Sequence, residues 1–162
     1  MKMKLTVLAF FTSMLLSGQV LAFDVDGLIY SVINATDVKA VGCVDVADCS
    51  SSDMVIPDTV EDSGTTYSVT TIATSAFYDN ALTSVIIPDS VTTIGGGAFY
   101  GNALTSAAFE GDFGNFDLTM FLYNSALATI TYCDGTTGWP QGFNNNSTIV
   151  VTTPIVCLPP GC

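Results

Sequence analysis

Residues 69–112 read VTTIATSAFYDNALTSVIIPDSVTTIGGGAFYGNALTSAAFEGD, nearly the same phrase stated twice. Val69, Ile72, Ala76, Phe77, Asn80, Leu82 and Ser84 return as Val91, Ile94, Ala98, Phe99, Asn102, Leu104 and Ser106, each displaced by 22 positions. Identity held in phase at such a period marks a stacked repeat, in which each unit buries its apolar side only against its neighbours. Within the unit, Val85 and Ile87 alternate with Ile86, which predicts a short strand with one buried face. Pro88 ends that strand because it has no N–H to continue a ladder. Val91 and Ile94 then turn inward, three glycines from Gly95 to Gly97 permit a tight corner, and Ala98 with Phe99 fills the interior.

Outward from this core the copies wear down. Upstream, MVIPDTV at 54–60 matches VIIPDSV at 85–91 at an interval of 31, because residues 61–69 are an insertion with Gly64 at its tip. Downstream, Ala107, Phe109 and Glu110 stand where Val85, Ile87 and Pro88 stood. A fourth copy follows one residue late, with Phe121, Leu127, Ile130 and Tyr132 answering Phe99, Leu104, Ala107 and Phe109. Terminal repeats diverge in this way when they must present a polar outer face. Residues 24–46 are rich in β-branched positions around a turn at 34–37, which predicts an N-terminal β-hairpin acting as a cap. Residues 48–53 and 134–146 read as loops, and residues 147–153 as a last edge strand.

The first 22 residues stand apart. Lys2 and Lys4 precede an apolar run from Leu5 to Leu16, and Val20 and Ala22 supply small residues for a cut, the pattern of a secretory signal with mature Phe23. That run is shorter than the roughly 20 residues a spanning helix needs. The expected organisation is therefore a signal peptide at 1–22, an N-terminal β cap at 23–53, a solenoid at 54–132 and a C-terminal cap or tail at 133–162. Beyond Ala22 one cation, Lys39, faces fifteen acids, a net charge of −14. Nucleic acid and anionic membranes bind through many Lys and Arg, so both are excluded as partners. No membrane insertion is expected after signal cleavage.

Cys43, Cys49, Cys133, Cys157 and Cys162 flank the repeats in a chain bound for an oxidising compartment, where disulfides persist. The preferred pairing is Cys43 with Cys49 and Cys133 with Cys157, the second stabilising by about 3 kcal/mol. Other connectivities stay open, and Cys162 is left free, pairs between chains, or competes for Cys157. There is no CxxC pair and no His, so no metal or other cofactor is expected.

The phrases IPDTVEDSGTTYSVTTIATSAF at 56–77 and IPDSVTTIGGGAFYGNALTS at 87–106, with their Ile-Pro, Ala-Phe and Asn-x-Leu landmarks in phase, resemble the BspA-type leucine-rich-repeat family of bacterial surface proteins. The likeness covers residue 54 to about residue 127. It implies a right-handed solenoid with a parallel sheet on one side and irregular or short helical turns on the other. It also implies export, and for some members adhesion to host matrix proteins or other cells. The family has no catalytic residues to carry over.

Outward strand positions form rows across successive coils and are the candidate binding surface. Ser84, Ser106 and Thr129 make one row, and Val55, Ile86, Ala108 and Thr131 the next. Such residues also satisfy strand propensity alone. Asp45, Asp48 and Asp53 are an oxygen-rich cluster, but their spacing lacks the glycine and terminal Glu of a calcium loop, and a solvated acidic loop accounts for them. Asn80 and Asn102 fit coil corners, where an amide side chain satisfies backbone groups of the adjacent coil. Trp139 and Phe143 are an aromatic platform or a plug over the last coil.

Without His, and with its one remaining Lys in the cap, the chain has no means of activating a nucleophile and reads as a non-enzyme. The functional reading is a secreted or cell-surface protein-binding or adhesion module, and the same signal fits a periplasmic home. The alternative is a structural component that self-associates through sheet edges or Cys162. Protein recovered from an export-competent host is expected to begin at Phe23 and to carry two disulfides. Intact mass with and without reductant checks both points, and a chain still carrying residues 1–22 would contradict the exported reading.

Overall fold

A computed structural model describes residues 21–45, 49, 53–140, 142–145 and 148–155, with side chains described as far as residue 140. Thirteen strands and no helix are found among these residues: β1 Ala22–Val25, β2 Leu28–Val32, β3 Asp37–Cys43, β4 Asp53–Val55, β5 Thr59–Asp62, β6 Thr65–Ile72, β7 Ser84–Ile87, β8 Thr93–Ile94, β9 Ser106–Phe109, β10 Asn115–Phe116, β11 Thr129–Cys133, β12 Gly142–Asn145 and β13 Thr148–Ile155. They form two sheets. The first runs β1-β2-β3-β6-β8-β10, with β5 paired to β6. The second runs β12-β13-β11-β9-β7-β4.

The coil period appears directly as strand register. In the second sheet β4, β7, β9, β11 and β13 are successive parallel neighbours, with Met54 opposite Val85, Val85 opposite Ala107, and Ala107 opposite Ile130. Those four residues are buried, and so are Ile87 and Phe109, while Ile86 between them faces out. The alternation and the stop at Pro88 follow the period-two rule for a strand with one buried face. Across the core a second parallel ladder sets Thr71 opposite Thr93 and Thr93 opposite Asn115. Here Ile72, Ile94 and Phe116 point inward, so the side implied to hold only turns carries short strands as well.

Several local expectations shift. The N-terminal hairpin is present as β2 and β3, but Ala22–Val25 adds a third antiparallel strand, turned by Asp26 and Gly27 at φ of 50° and 84°. The 61–69 insertion is a β5–β6 hairpin with Ser63 and Gly64 at its tip, at φ of 50° and 82°. Asp53, read as loop, opens β4 and lies opposite Ser84. Residues 142–145, also read as loop, form β12, which folds back antiparallel on β13. β13 is consequently not the edge: a parallel strand at the end of a stack leaves open donors and acceptors, and β12 covers them. The late fourth copy slips at a definite place, since Phe121 and Asn124 keep the 22-residue phase and the extra residue falls between Asn124 and Leu127.

The corner between the ladders is held by two stacked rows. Phe77, Phe99 and Phe121 are buried one above another, with ring centroids 5.3 and 5.4 Å apart. Beside them Asn102 accepts from the N–H groups of Asn80 and Leu82, both at 3.0 Å, and its amide donates to the carbonyls of Phe77 at 2.7 Å and Phe99 at 2.9 Å. Asn124 repeats this one coil on, accepting from Leu104 N–H at 3.1 Å and donating to Phe99 and Phe121 at 2.8 and 2.9 Å. Each buried amide closes a corner whose backbone groups have no water to turn to. Asn102→Ala is expected to destabilise the fold by about 3 kcal/mol, because it strands several buried groups together. Urea unfolding followed by Trp139 fluorescence checks this, with the half-exposed Asn80→Ala expected to lose distinctly less.

Candidate functional site

Neighbouring strands lie about 4.8 Å apart and alternate residues on one face recur at about 7 Å, so outward positions of the second sheet form a regular grid. From β4 to β11 one row is Val55, Ile86, Ala108 and Thr131, linked by direct register from strand to strand. Val55 is 60% exposed and Ile86 38% exposed, and Ala108 and Thr131 are half-buried. A second row holds Ser84 opposite Ser106, and Thr129 continues it at the start of β11. Asp53 extends this row at the edge, where its carboxylate accepts from the Ser84 hydroxyl at 2.6 Å. All seven candidate surface residues thus share one face. That face is short-chained, and within the two rows from β4 to β11 its one charge is Asp53.

Of the three acids read as a cluster, Asp53 sits in that row, and Asp48 lies outside the described residues. No group of three or more metal-binding side chains occurs among the described residues. Cys43 and Cys49 are joined by a disulfide behind the cap. Cys133 is also disulfide-bonded. Its remaining candidate partners, Cys157 and Cys162, lie outside the described residues. Trp139 stacks flat on Tyr132 at 4.9 Å and edge-on to Phe109 at 4.7 Å and Phe113 at 5.3 Å, so it plugs the last coil; the Phe143 side chain is outside the described set.

Three features had not been singled out from the sequence. Asn124 continues the amide row and could have been found by carrying the 22-residue phase one step further. A row of Tyr78, Tyr100 and Tyr123, exposed at its two ends and half-buried in the middle, runs outside the Phe row, and its signal was the repeated Phe-Tyr pair. The third is an acidic groove of about 390 Å³ between the two ladders, lined in part by Asp89, Thr92, Glu110, Gly111, Asp112 and Thr136. A Cβ on Gly111 would lie 2.8 Å from the Asp89 Cα, so glycine is what lets these coils close at this corner. Asp112 accepts from Thr137 N–H at 2.6 Å and ties the C-terminal segment to the groove.

Glu110 has its carboxyl pKa raised, first by desolvation and then by the nearby Asp58 and Asp89 charges. The folded protein therefore holds that proton more tightly than the unfolded chain, and the stability due to Glu110 is lost as pH rises through its folded pKa. Glu110→Gln is expected to raise Tm at neutral pH and to leave it unchanged below the carboxylate range. Thermal unfolding of both proteins across pH checks the sign.

The chain is similar to one family model and to two solved structures. Residues 47–154 match the model of the BspA type leucine rich repeat region, described with six copies. Among solved structures, a leucine rich cell surface protein from Faecalibacterium prausnitzii A2-165 is 25% identical with a TM-score of 0.56. That match covers 72% of this chain and 31% of the other, so this chain spans about a third of its relative's length. A leucine-rich repeat protein from Bacteroides capillosus ATCC 29799 has a TM-score of 0.63 at 22% identity, covering 83% of this chain and 98% of that one. No curated protein matches.

Proposed function

Because the chain belongs to the BspA-type leucine-rich-repeat family, we propose that it is a secreted or cell-surface protein-binding module whose contact surface is the outward face of the second sheet. The observation that carries this reading is the row Val55, Ile86, Ala108 and Thr131, an in-register line of small and apolar side chains on an otherwise acidic molecule. A flat face with little charge can be desolvated at low cost, and the buried core of a protein interface is depleted of charged residues in the same way. The description of a similar structure as a cell surface protein supports the location. No catalytic task is assigned to the molecule.

A second reading, a self-assembling extracellular component, is favoured by β4, which among the described residues ends the second sheet with β7 as its one partner. An open strand edge is a template for another chain. The two readings separate experimentally. The mature protein is titrated onto immobilised extracellular-matrix proteins and onto whole cells, beside the Ile86→Lys variant. Lysine on this face is expected to weaken capture about ten-fold or more while leaving the fold intact by circular dichroism. Equal capture by both proteins would refute the sheet face as the contact surface. Sedimentation that shows oligomers growing with concentration would favour assembly.

A further inference from the structure

Three phenols lie side by side on the outer corner of the solenoid. Tyr78 and Tyr100 stack at 5.0 Å with their planes 13° apart, whereas Tyr100 and Tyr123 are 4.7 Å apart and tilted by 42°. The first two occupy equivalent positions, each following a buried Phe. In the next coil that position holds Leu122, and the phenol comes from the residue after it. Tyr123 adopts φ 62° at the place where the preceding coils have Asp79 at 56° and Gly101 at 70°. A bulky side chain in left-handed backbone costs roughly 1–2 kcal/mol. Strain of this kind points to a role for the side chain that incurs it. The core at this level is already filled by Phe121, and the Tyr123 ring is 52% exposed, leaning on Tyr100.

We infer that Tyr100 and Tyr123 form an oxidative cross-linking site that joins two coils through a dityrosine bond. The co-reactant is hydrogen peroxide turned over by a haem peroxidase. The oxidant takes one electron and one proton from each phenol, and the two phenoxyl radicals couple through ring carbons ortho to the oxygens. Each of those carbons then passes its hydrogen to the phenoxyl oxygen, which restores both aromatic phenols. One C–C bond replaces two C–H bonds, the protein loses two hydrogens, and one peroxide becomes two waters. At 4.7 Å the Tyr100 and Tyr123 rings are in contact, and a side-chain hydrogen bond between the two phenols brings together the ring ends that carry the ortho carbons. The other phenols are less suited: Tyr30 and Tyr67 are buried, and Tyr132 lies flat on Trp139.

The test uses dilute mature protein treated with peroxidase and limiting peroxide. Intact mass, dityrosine fluorescence and denaturing electrophoresis under reduction are read together. The expected product is a monomer lighter by two hydrogens, with a raised Tm. Tyr100→Phe and Tyr123→Phe are each expected to lower its yield about ten-fold, since the held pair reacts at an effective concentration no free phenol matches. Tyr78→Phe should retain it. Thermal unfolding of each variant before oxidation confirms that the fold is kept. Wild-type yield from Tyr123→Phe, or cross-links found only between chains, would overturn the assignment.

Discussion

The amide of Asn102 is the interaction on which the solenoid depends. One side chain accepts from two backbone N–H groups of the coil before it and donates to carbonyls of that coil and of its own. A coil corner is the place where the strand ladders cannot supply partners, since the chain there changes direction while staying buried. A buried donor or acceptor left unmet there costs about as much as the net gain from one or two good hydrogen bonds. Asparagine carries an acceptor and two donors within a short side chain, which suits it to both tasks at once. Given that closure, Phe77, Phe99 and Phe121 can stack beside it, and the two ladders are set at a spacing their inward residues fill.

Stacking of this kind makes the molecule nearly one-dimensional, with each coil stabilised by the next, so its ends need separate solutions. At the start, the antiparallel strands β1 to β3 supply a ready-made edge on which β6 lays the first parallel pairing. At the finish, Trp139 closes the core against Phe109, Phe113 and Tyr132, while β12 folds back over β13. Between these ends the outward grid of the second sheet is displayed by every coil alike. Its residues alternate with inward neighbours that are packed in the core.

Most of the architecture was legible because burial and period coincide. Val85, Ile87, Val91, Ile94, Phe99 and Leu104 recur in phase and are all inside. The parts that were not legible lack that coincidence. β8 and β10 are two residues long, too short for alternation to declare itself; Ile94 of β8 was read only as an inward turn, and β10 was not read at all. β12 is a Gly-Phe-Asn-Asn segment whose composition speaks for a loop, and it is a strand because β13 offers it an edge. The rows of the candidate surface were readable, since register follows from the repeat. The tyrosine row was hidden in part because its third ring comes from the position of Gly101 rather than that of Tyr100. The groove was hidden because Asp89, Glu110 and Asp112 meet only when the corners close around Gly111.

Lysine 39 gives the fold a further property. Past residue 22 the chain contains no arginine and this one lysine, so an enzyme that cuts after basic residues has a single target, the bond from Lys39 to Ala40. That bond lies inside β3, paired on one side with β2 and on the other with β6, and Ala40 is wholly buried. A protease must draw some ten residues of substrate into an extended, unpaired form, and here doing so would take apart the centre of the cap sheet. Trypsin-like digestion of the native protein is therefore governed by how often the whole N-terminal sheet opens, not by how much of the surface is exposed.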